Sequence, residues 1–294
     1  MVHQMKLLEK SFYNIKQGNK TIEFRLNDTK RRKIRIGDKI QFSKLPDLTE
    51  KITVEVIQLY SEENFEKLFL KLGYEKEELQ KKLEGMYTIY KKEKEQEYGV
   101  LGIKMKLDTE QLTKQIEEYI PYNEQEQKDK ETMLKYLNTF DNTLTRKNEF
   151  GHFTASSWIV NPQRTKVLVI YHNIYQSWGW TGGHCDGEND LLQVAIREAK
   201  EETSIEHIRP LKEGIYSLEI VCVDGHVKKG KYVSAHVHLN LTFLLEADEK
   251  DILKIKEDEN SGVKWIDIQE AIQITNEENM KPIYQKLNEK LKFI

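Results

Sequence analysis

The stretch "GGHCDGENDLLQVAIREAKEETSI", residues 182–205, sets Glu198, Glu201 and Glu202 at positions i, i+3 and i+4. On an α-helix these share one face, with β-carbons about 5–6 Å apart, and their repulsion costs a few tenths of a kcal/mol per pair. A divalent cation held between them reverses the sign of that cost, and hard cations such as Mg²⁺ take carboxylate oxygens. Leu192, Ala195, Ile196 and Ala199 recur at helical spacing and give a narrow apolar stripe, whose two alanines let the helix approach a sheet closely. At 3.6 residues per turn, Glu202 borders that stripe, Glu201 lies nearly opposite it and Glu198 falls between them. Gly182, Gly183 and Gly187 precede the helix and permit tight turns and close ligand approach. A solvated, Glu-rich face is the competing reading of "EAKEE" taken alone.

The whole stretch resembles the Nudix box, G-x5-E-x7-R-E-U-x-E-E-x-G-U, where U is a bulky aliphatic residue. Gly183, Arg197, Glu198, Glu201, Glu202 and Ile205 match in register, and Ala199 stands at the first U. Two positions depart. Asn189 replaces the Glu that pairs with the box arginine in the family, with Glu188 adjacent as a substitute; Asn189 itself suits a helix N-cap. Ser204 replaces the final Gly, at a stability cost if the backbone there is left-handed. The resemblance implies Glu198, Glu201 and Glu202 as metal ligands for Mg²⁺, with Mn²⁺ as a substitute, and Arg197 as their orienting partner.

A chain of 294 residues suggests about two domains. The net charge of −3 excludes a global bias toward nucleic acid or acidic partners. No run of eighteen apolar residues indicates a membrane span, and the first twenty residues lack the apolar core of a secretory signal. Cys185 and Cys222 are too few and too far apart for a disulfide scaffold or zinc cluster; both read as small buried fillers in a reducing cytoplasm. The Gln/Glu/Lys-rich stretch 109–131 around Pro121 reads as linker or exposed helix. The expected division is residues 1–110, a connecting segment 111–130, and residues 131–294. Oligomeric state leaves no trace in the sequence.

In the first part, "KIRIGDKIQFSKL" alternates around Gly37-Asp38 like a hairpin, "KITVEVIQLY" reads as a strand, "ENFEKLFLKLGY" as a helix stopping at Gly73, and "YGVLGIKMKL" as a closing strand. The segment "GNKTIEFRLNDTKRRKIRIGDKIQF" resembles the ASCH family, through Gly18, Lys20, Glu23, Arg25 and Gly37-Asp38. That resemblance implies a PUA-like β-barrel with short helices over roughly residues 3–108, a cleft lined by Lys20, Glu23 and Arg25, and RNA or a nucleotide as partner. Lys, Glu and Arg at alternating strand positions read equally well as a surface ion-pair ladder. The basic run Lys30, Arg31, Arg32, Lys33 and Arg35 suits phosphate contacts or a solvated turn.

In the second part, "FTASSWIVN" and "KVLVIYH" read as strands joined by "NPQRT". "IYSLEIVCV" and "YVSAHVHLNLTFLLEA" follow the acidic helix as strands, and "MKPIYQKLNEKLKFI" reads as a terminal amphipathic helix. This order matches the α/β/α sandwich of Nudix proteins, giving an α+β chain of two domains. By the same resemblance Glu259, six residues before Trp265, is an extra metal ligand or general base, and Gly182, Gly183 and His184 contact substrate. His236 and His238 share a sheet face; a His-x-His pair can bind zinc, but no third ligand is evident in the sequence. The implied activity is Mg²⁺-dependent hydrolysis of a nucleoside diphosphate linked to a group X, with Glu202 or Glu259 taking a proton from water. A non-catalytic nucleotide- or RNA-reading module and an isopentenyl-diphosphate-isomerase-like enzyme share these folds.

Overall fold

The computed structural model describes residues 1–228 and 230–294. The chain divides into two units, Met1–Asp108 and Thr109–Ile294.

The first unit runs β1 (Val2–Leu7), α1 (Glu9–Lys16), β2 (Ile22–Leu26), β3 (Lys39–Lys44), β4 (Lys51–Glu62), α2 (Phe65–Lys71), α3 (Lys76–Tyr87), α4 (Lys92–Tyr98) and β5 (Val100–Leu107). Its sheet has the order β1-β3-β4-β5-β2, with β1 and β3 parallel and the other pairs antiparallel. Alternation along β4 buries Ile52, Val54 and Val56. Phe65, Leu68, Phe69, Leu79 and Leu83 form a second cluster under α2 and α3. The sheet is an open half-barrel and not the expected closed barrel, because β1 and β2 remain its two edges. Closure depends on the joint tilt and stagger of all strands, which alternation within single strands does not encode. The expected hairpin at Gly37-Asp38 is also absent. Arg31–Lys33 form a 3-10 turn, and β3 pairs with β1 and β4. Gly37, at φ 84°, serves a turn whose N–H donates to the carbonyl of Val56 at 2.8 Å. β5 is not a closing edge, since it lies between β4 and β2.

The second unit begins with α5 (Glu110–Glu118) and α6 (Glu124–Thr139). Residues 111–130 therefore span most of α5, a short turn at 119–123 and the start of α6, and Leu112, Ile116 and Glu126 are buried there, as are Met133 and Leu137 further along α6. Their polar composition conceals the apolar i, i+4 spacings and a buried acid that finds lysine partners far along the chain. Then follow β6 (Gly151–Val160), β7 (Lys166–His172), β8 (Ser177–Gly179), β9 (Thr181–His184), α7 (Leu191–Thr203), β10 (Ile208–Pro210), β11 (Ser217–Val223), β12 (His226–Lys228), β13 (Lys231–Val233), β14 (His236–Ala247), β15 (Asn260–Asp267), α8 (Glu270–Ile274) and α9 (Lys281–Lys290). The main sheet has the order β10-β14-β6-β7-β15, with β11 on β14, β9 on β6 and β8 on β7. The central pair, β14 and β6, is parallel and in register from Val237↔Gly151 to Glu246↔Val160. β6 is buried at every position, as expected of a strand covered on both faces. α7 packs on β9, β6 and β14. Trp158, Val160 and Val169 meet Tyr284 and Leu287 of α9. Helices thus cover both faces of a mixed sheet.

Candidate active site

The face of α7 turned to the sheet consists of Leu191, Val194, Ala195 and Ala199, continued by Glu202 and Thr203. It is shifted from the expected stripe: Leu192 and Ile196 lie half-buried at its border. Asp190, and not Asn189, is the N-cap, its carboxylate accepting from the N–H of Gln193 at 3.2 Å. Asp suits that place as well as Asn. Ser204 closes the helix in the left-handed region at φ 59°, where the family has Gly.

Gly182 and Gly183 are required by close approach. A Cβ on Gly183 would sit 2.4 Å from the carboxyl carbon of Glu198, and one on Gly182 would sit 2.5 Å from Oγ of Ser156. The glycines let the carboxylates rest against the loop backbone. The N–H of Gly182 donates to Oε2 of Glu202 at 3.0 Å. Arg197 donates to Glu188 at 2.7 Å and to Glu198 at 3.2 Å, and stands 3.8 Å from Glu201. Glu188 therefore takes the partner's place that Asn189 vacates. Lys256, which the sequence did not single out, stands 3.1 Å from Glu201 and 2.9 Å from Glu259. It joins the box helix to the loop before β15, and Asn260 adds a hydrogen bond from its amide to the carbonyl of Glu202 at 2.9 Å.

Glu201 is exposed and Glu202 buried. Desolvation pushes the Glu202 carboxyl up to about 8; Glu198 and Glu259 add to the rise, while the Gly182 N–H and Lys256 oppose it. Desolvation likewise raises Glu198, against the pull of Arg197. Cys185 is buried beside this site, and desolvation pushes its thiol up, so it is an inert filler. Cys222 is exposed, contrary to the expectation of burial, because the cover on its face of β11 falls away along the strand, from buried Leu218 through half-buried Ile220.

On the sheet face opposite Gly183, alternation directs His184 away from α7. There it meets His152 and His238, and the three offer ring nitrogens all within 4.8 Å of one another. His236 lies against them, its Nε2 3.2 Å from that of His238. Such a cluster can chelate a divalent metal. The third ligand, not evident in the sequence, is supplied by the register His238↔His152 and by β9 beside β6.

In the first unit, Glu23 of β2 is buried between Lys20 at 2.5 Å and Arg25 at 2.7 Å. Arg25 also donates to the carbonyl of Lys6 at 2.9 Å. The basic run is tied locally: Arg31 reaches Asp28 at 2.6 Å, Arg32 the carbonyl of Asn27 at 2.8 Å, and Arg35 that of Arg32 at 2.7 Å.

A mixed sheet sandwiched by helices, with a glycine loop and helix presenting a carboxylate cluster, defines a class of phosphate-anhydride hydrolase. The chain belongs to the Nudix family: the model of the NUDIX domain matches residues 150–287, and that of the ASCH domain matches residues 5–109. An RNA pyrophosphohydrolase of Pelagibacter ubique is 32% identical over 141 residues, spanning 46% of this chain and 89% of that protein. A rat bis(5'-nucleosyl)-tetraphosphatase (asymmetrical) is 29% identical over 111 residues, spanning 37% of this chain and 68% of that protein. The crystal structure of a C. elegans Ap4A hydrolase binary complex is 22% identical and covers 48% of this chain and 98% of its own, with a TM-score of 0.37. Among the described residues, no helix is long and apolar enough to cross a membrane.

Proposed function

We propose that the second unit hydrolyses a pyrophosphate linkage in a nucleotide, a nucleoside diphosphate joined to a further group X. The observation that carries this reading is an excess of acid. Glu188, Glu198, Glu201, Glu202 and Glu259 gather around α7, and the contacts described set only Arg197 and Lys256 against them. The donors are hard carboxylate oxygens, which fit Mg²⁺, with Mn²⁺ as a substitute. Glu198, Glu201, Glu202 and Glu259 would hold the ion. When bound, it supplies neutralisation of phosphate-oxygen charge and acidification of water. The chain's own residues do the rest. Arg197 fixes Glu188 and Glu198, the Gly182 N–H aims Glu202, and Glu202 or Glu259 accepts the proton of the attacking water. Gly182 and Gly183 edge the loop where substrate would lie, whereas His184, expected from the sequence to join them, faces the opposite side of the sheet with His152 and His238. The relatives' names share a nucleotide with linked phosphates, and only that shared chemistry is carried over. The first unit, with Lys20 and Arg25 outnumbering Glu23, suits a phosphate-bearing partner, RNA or nucleotide. Two unpaired cysteines fit a cytoplasmic setting.

The test is a panel of nucleotides incubated with the full chain and Mg²⁺ or Mn²⁺, with all products identified by mass. A phosphate-anhydride product pair is expected, with turnover lowered about 10²–10⁴-fold by Glu202→Gln, the range for general acid–base groups. Undiminished turnover by a folded Glu201→Gln/Glu202→Gln double variant would place the chemistry elsewhere.

A further inference from the structure

We propose that His152, His184, His236 and His238 form an all-imidazole site for a transition-metal ion of the zinc class, separate from the carboxylate site on α7. The four residues come from three strands that the sheet brings side by side: β6 gives His152, β9 gives His184, and β14 gives His236 and His238. Ring centroids lie 5.0 Å apart for His152–His184 and His184–His238, 5.1 Å for His236–His238, and 5.2 Å from His152 to both His236 and His238.

The tautomers point inward. Nδ1 of His152 is 3.1 Å from the carbonyl of Asn148, and Nδ1 of His236 is 2.8 Å from that of Ser234. A carbonyl only accepts, so each Nδ1 carries the proton and each Nε2 presents a lone pair. That is the outer-sphere arrangement which orients metal-ligating histidines. His152 is 4% exposed, and its Nε2 is buried without a hydrogen-bond partner. A buried acceptor of this kind costs stability unless something occupies it. The Nε2 atoms of His236 and His238 stand 3.2 Å apart. Two ligands of a tetrahedral ion with Zn–N near 2.0–2.1 Å are separated by about 3.3 Å. The wider spacing within the His152–His184–His238 trio requires only small ring movements to close.

The ligand type selects the ion. Imidazole suits zinc, copper, nickel and iron, whereas Mg²⁺ prefers carboxylate, carbonyl and water. The two sites therefore take different ions. They are adjacent through β9, where Gly183 faces Glu198 and the next residue, His184, faces the histidines. An ion on His184 would fix β9, and with it the Gly182 N–H that holds Glu202. This places the histidine site as a brace for the catalytic loop.

The experiment strips the full chain with a chelator and titrates it with Co²⁺, read by visible absorption, and with Zn²⁺ as competitor. One equivalent of Co²⁺ with the intense bands of a four-coordinate nitrogen site is expected, abolished by Zn²⁺ and unaffected by excess Mg²⁺. His238→Gln and His236→Gln, both at partly exposed positions, should each weaken binding by more than the about 10–100-fold typical of losing an outer-sphere partner. Glu201→Gln/Glu202→Gln should leave the bands unchanged. The proposal is overturned by weak, octahedral-type absorption, by bands lost in the Glu double variant but kept in the His variants, or by no binding. The wild-type spectrum is decisive even if a His variant folds poorly.

Discussion

Two charged clusters of the second unit differ in balance. In the contacts described around α7, five acids, Glu188, Glu198, Glu201, Glu202 and Glu259, face two cations, Arg197 and Lys256. Beneath α6 and α9, Glu126 and Glu219 face Lys286 and Lys290, two against two, with Lys286 3.1 Å from Glu126 and 2.9 Å from Glu219, and Lys290 2.8 Å from Glu126. The balanced cluster is also fully hydrogen-bonded. Glu126 accepts from the Tyr119 hydroxyl at 2.5 Å, the Tyr122 N–H at 2.7 Å and the Ser217 hydroxyl at 2.7 Å. Thr242 and Asn240 donate to Glu219 at 3.0 and 3.3 Å. A buried network that satisfies itself fixes the fold and needs no external ion. A cluster with surplus acid is incomplete alone, and the proposed Mg²⁺ would complete it. Charge balance thus separates the part of the unit that holds α5, α6 and α9 in place from the part proposed to do chemistry.

The largest expected effect follows from breaking the balanced network. Glu126→Ala leaves Lys286 and Lys290 buried without their shared partner and should cost about 3–5 kcal/mol in the unfolding of the second unit, measured in denaturant. Glu201→Gln, at an exposed position in the surplus cluster, should change stability by about 0.5 kcal/mol or less while abolishing turnover. Equal destabilisation by the two would erase the distinction. The pH dependence has a defined sign. Burial alone would raise Glu126, but Lys286 and Lys290, helped by the Tyr119 hydroxyl, hold it at about 2, below its ordinary 4.5. Its contribution is full above pH 4.5 and lost as pH falls through about 2. In Glu126→Ala that acid-induced loss should shrink.

The two clusters also differ in how much of them could be read from the sequence. The box was legible because it is local: helical spacing fixes Glu198, Glu201 and Glu202 relative to Arg197, and the neighbouring Glu188 reaches that arginine without long-range information. Ser204 was legible for the same reason, as a helix end. Lys256 was hidden, since its role depends on the loop before β15 folding back onto α7. The Glu126 network was hidden more deeply, because Lys286 lies 160 residues away along the chain, and acids on a polar helix look solvated until a partner is known. The histidine cluster gave half a signal, the His236-x-His238 spacing. Its other half depends on the order β9-β6-β14, a property of the sheet and not of any strand. The open edge of the first unit's sheet was illegible on the same ground.

A smaller effect tests the surplus cluster directly. The Glu202 carboxyl is pushed up to about 8 by desolvation, so its folded value lies above the ordinary 4.5. A raised carboxyl contributes stability that is present below pH 4.5 and lost as pH rises through about 8. Without divalent ions, the second unit should melt at a lower temperature at pH 9 than at pH 6. Mg²⁺ at a hundred times its dissociation constant should restore about 2.7 kcal/mol. Glu202→Gln should flatten the alkaline loss and remove most of the Mg²⁺ response. An alkaline loss unchanged in that variant would assign the titration to another group.

The smallest effect extends the comparison to a third cluster, in which base exceeds acid. Glu23 faces both Lys20 and Arg25, and Arg31, Arg32 and Arg35 follow a few residues on along the chain. By the same reasoning a surplus of base awaits an anion, and a phosphate is the anion that the proposed partners share. The arginines of the run each hold a carbonyl or carboxylate of their own turn, so their attraction to phosphate is partly spent locally. Weak, salt-sensitive binding follows. Single-stranded RNA titrated against the full chain at increasing salt should lose affinity with a log–log slope near −0.7 for each phosphate neutralised. Arg31→Ala with Arg32→Ala should flatten that slope by roughly the same amount for each phosphate left without its arginine. Lys20→Ala should weaken binding with a smaller change of slope, because a lysine already paired with Glu23 would act on one bound group and not on the backbone at large. If affinity at low salt is absent, or the slope ignores both changes, the Lys20–Glu23–Arg25 triplet is an ion-pair ladder that braces β2, and surplus base on this sheet has no anion to meet.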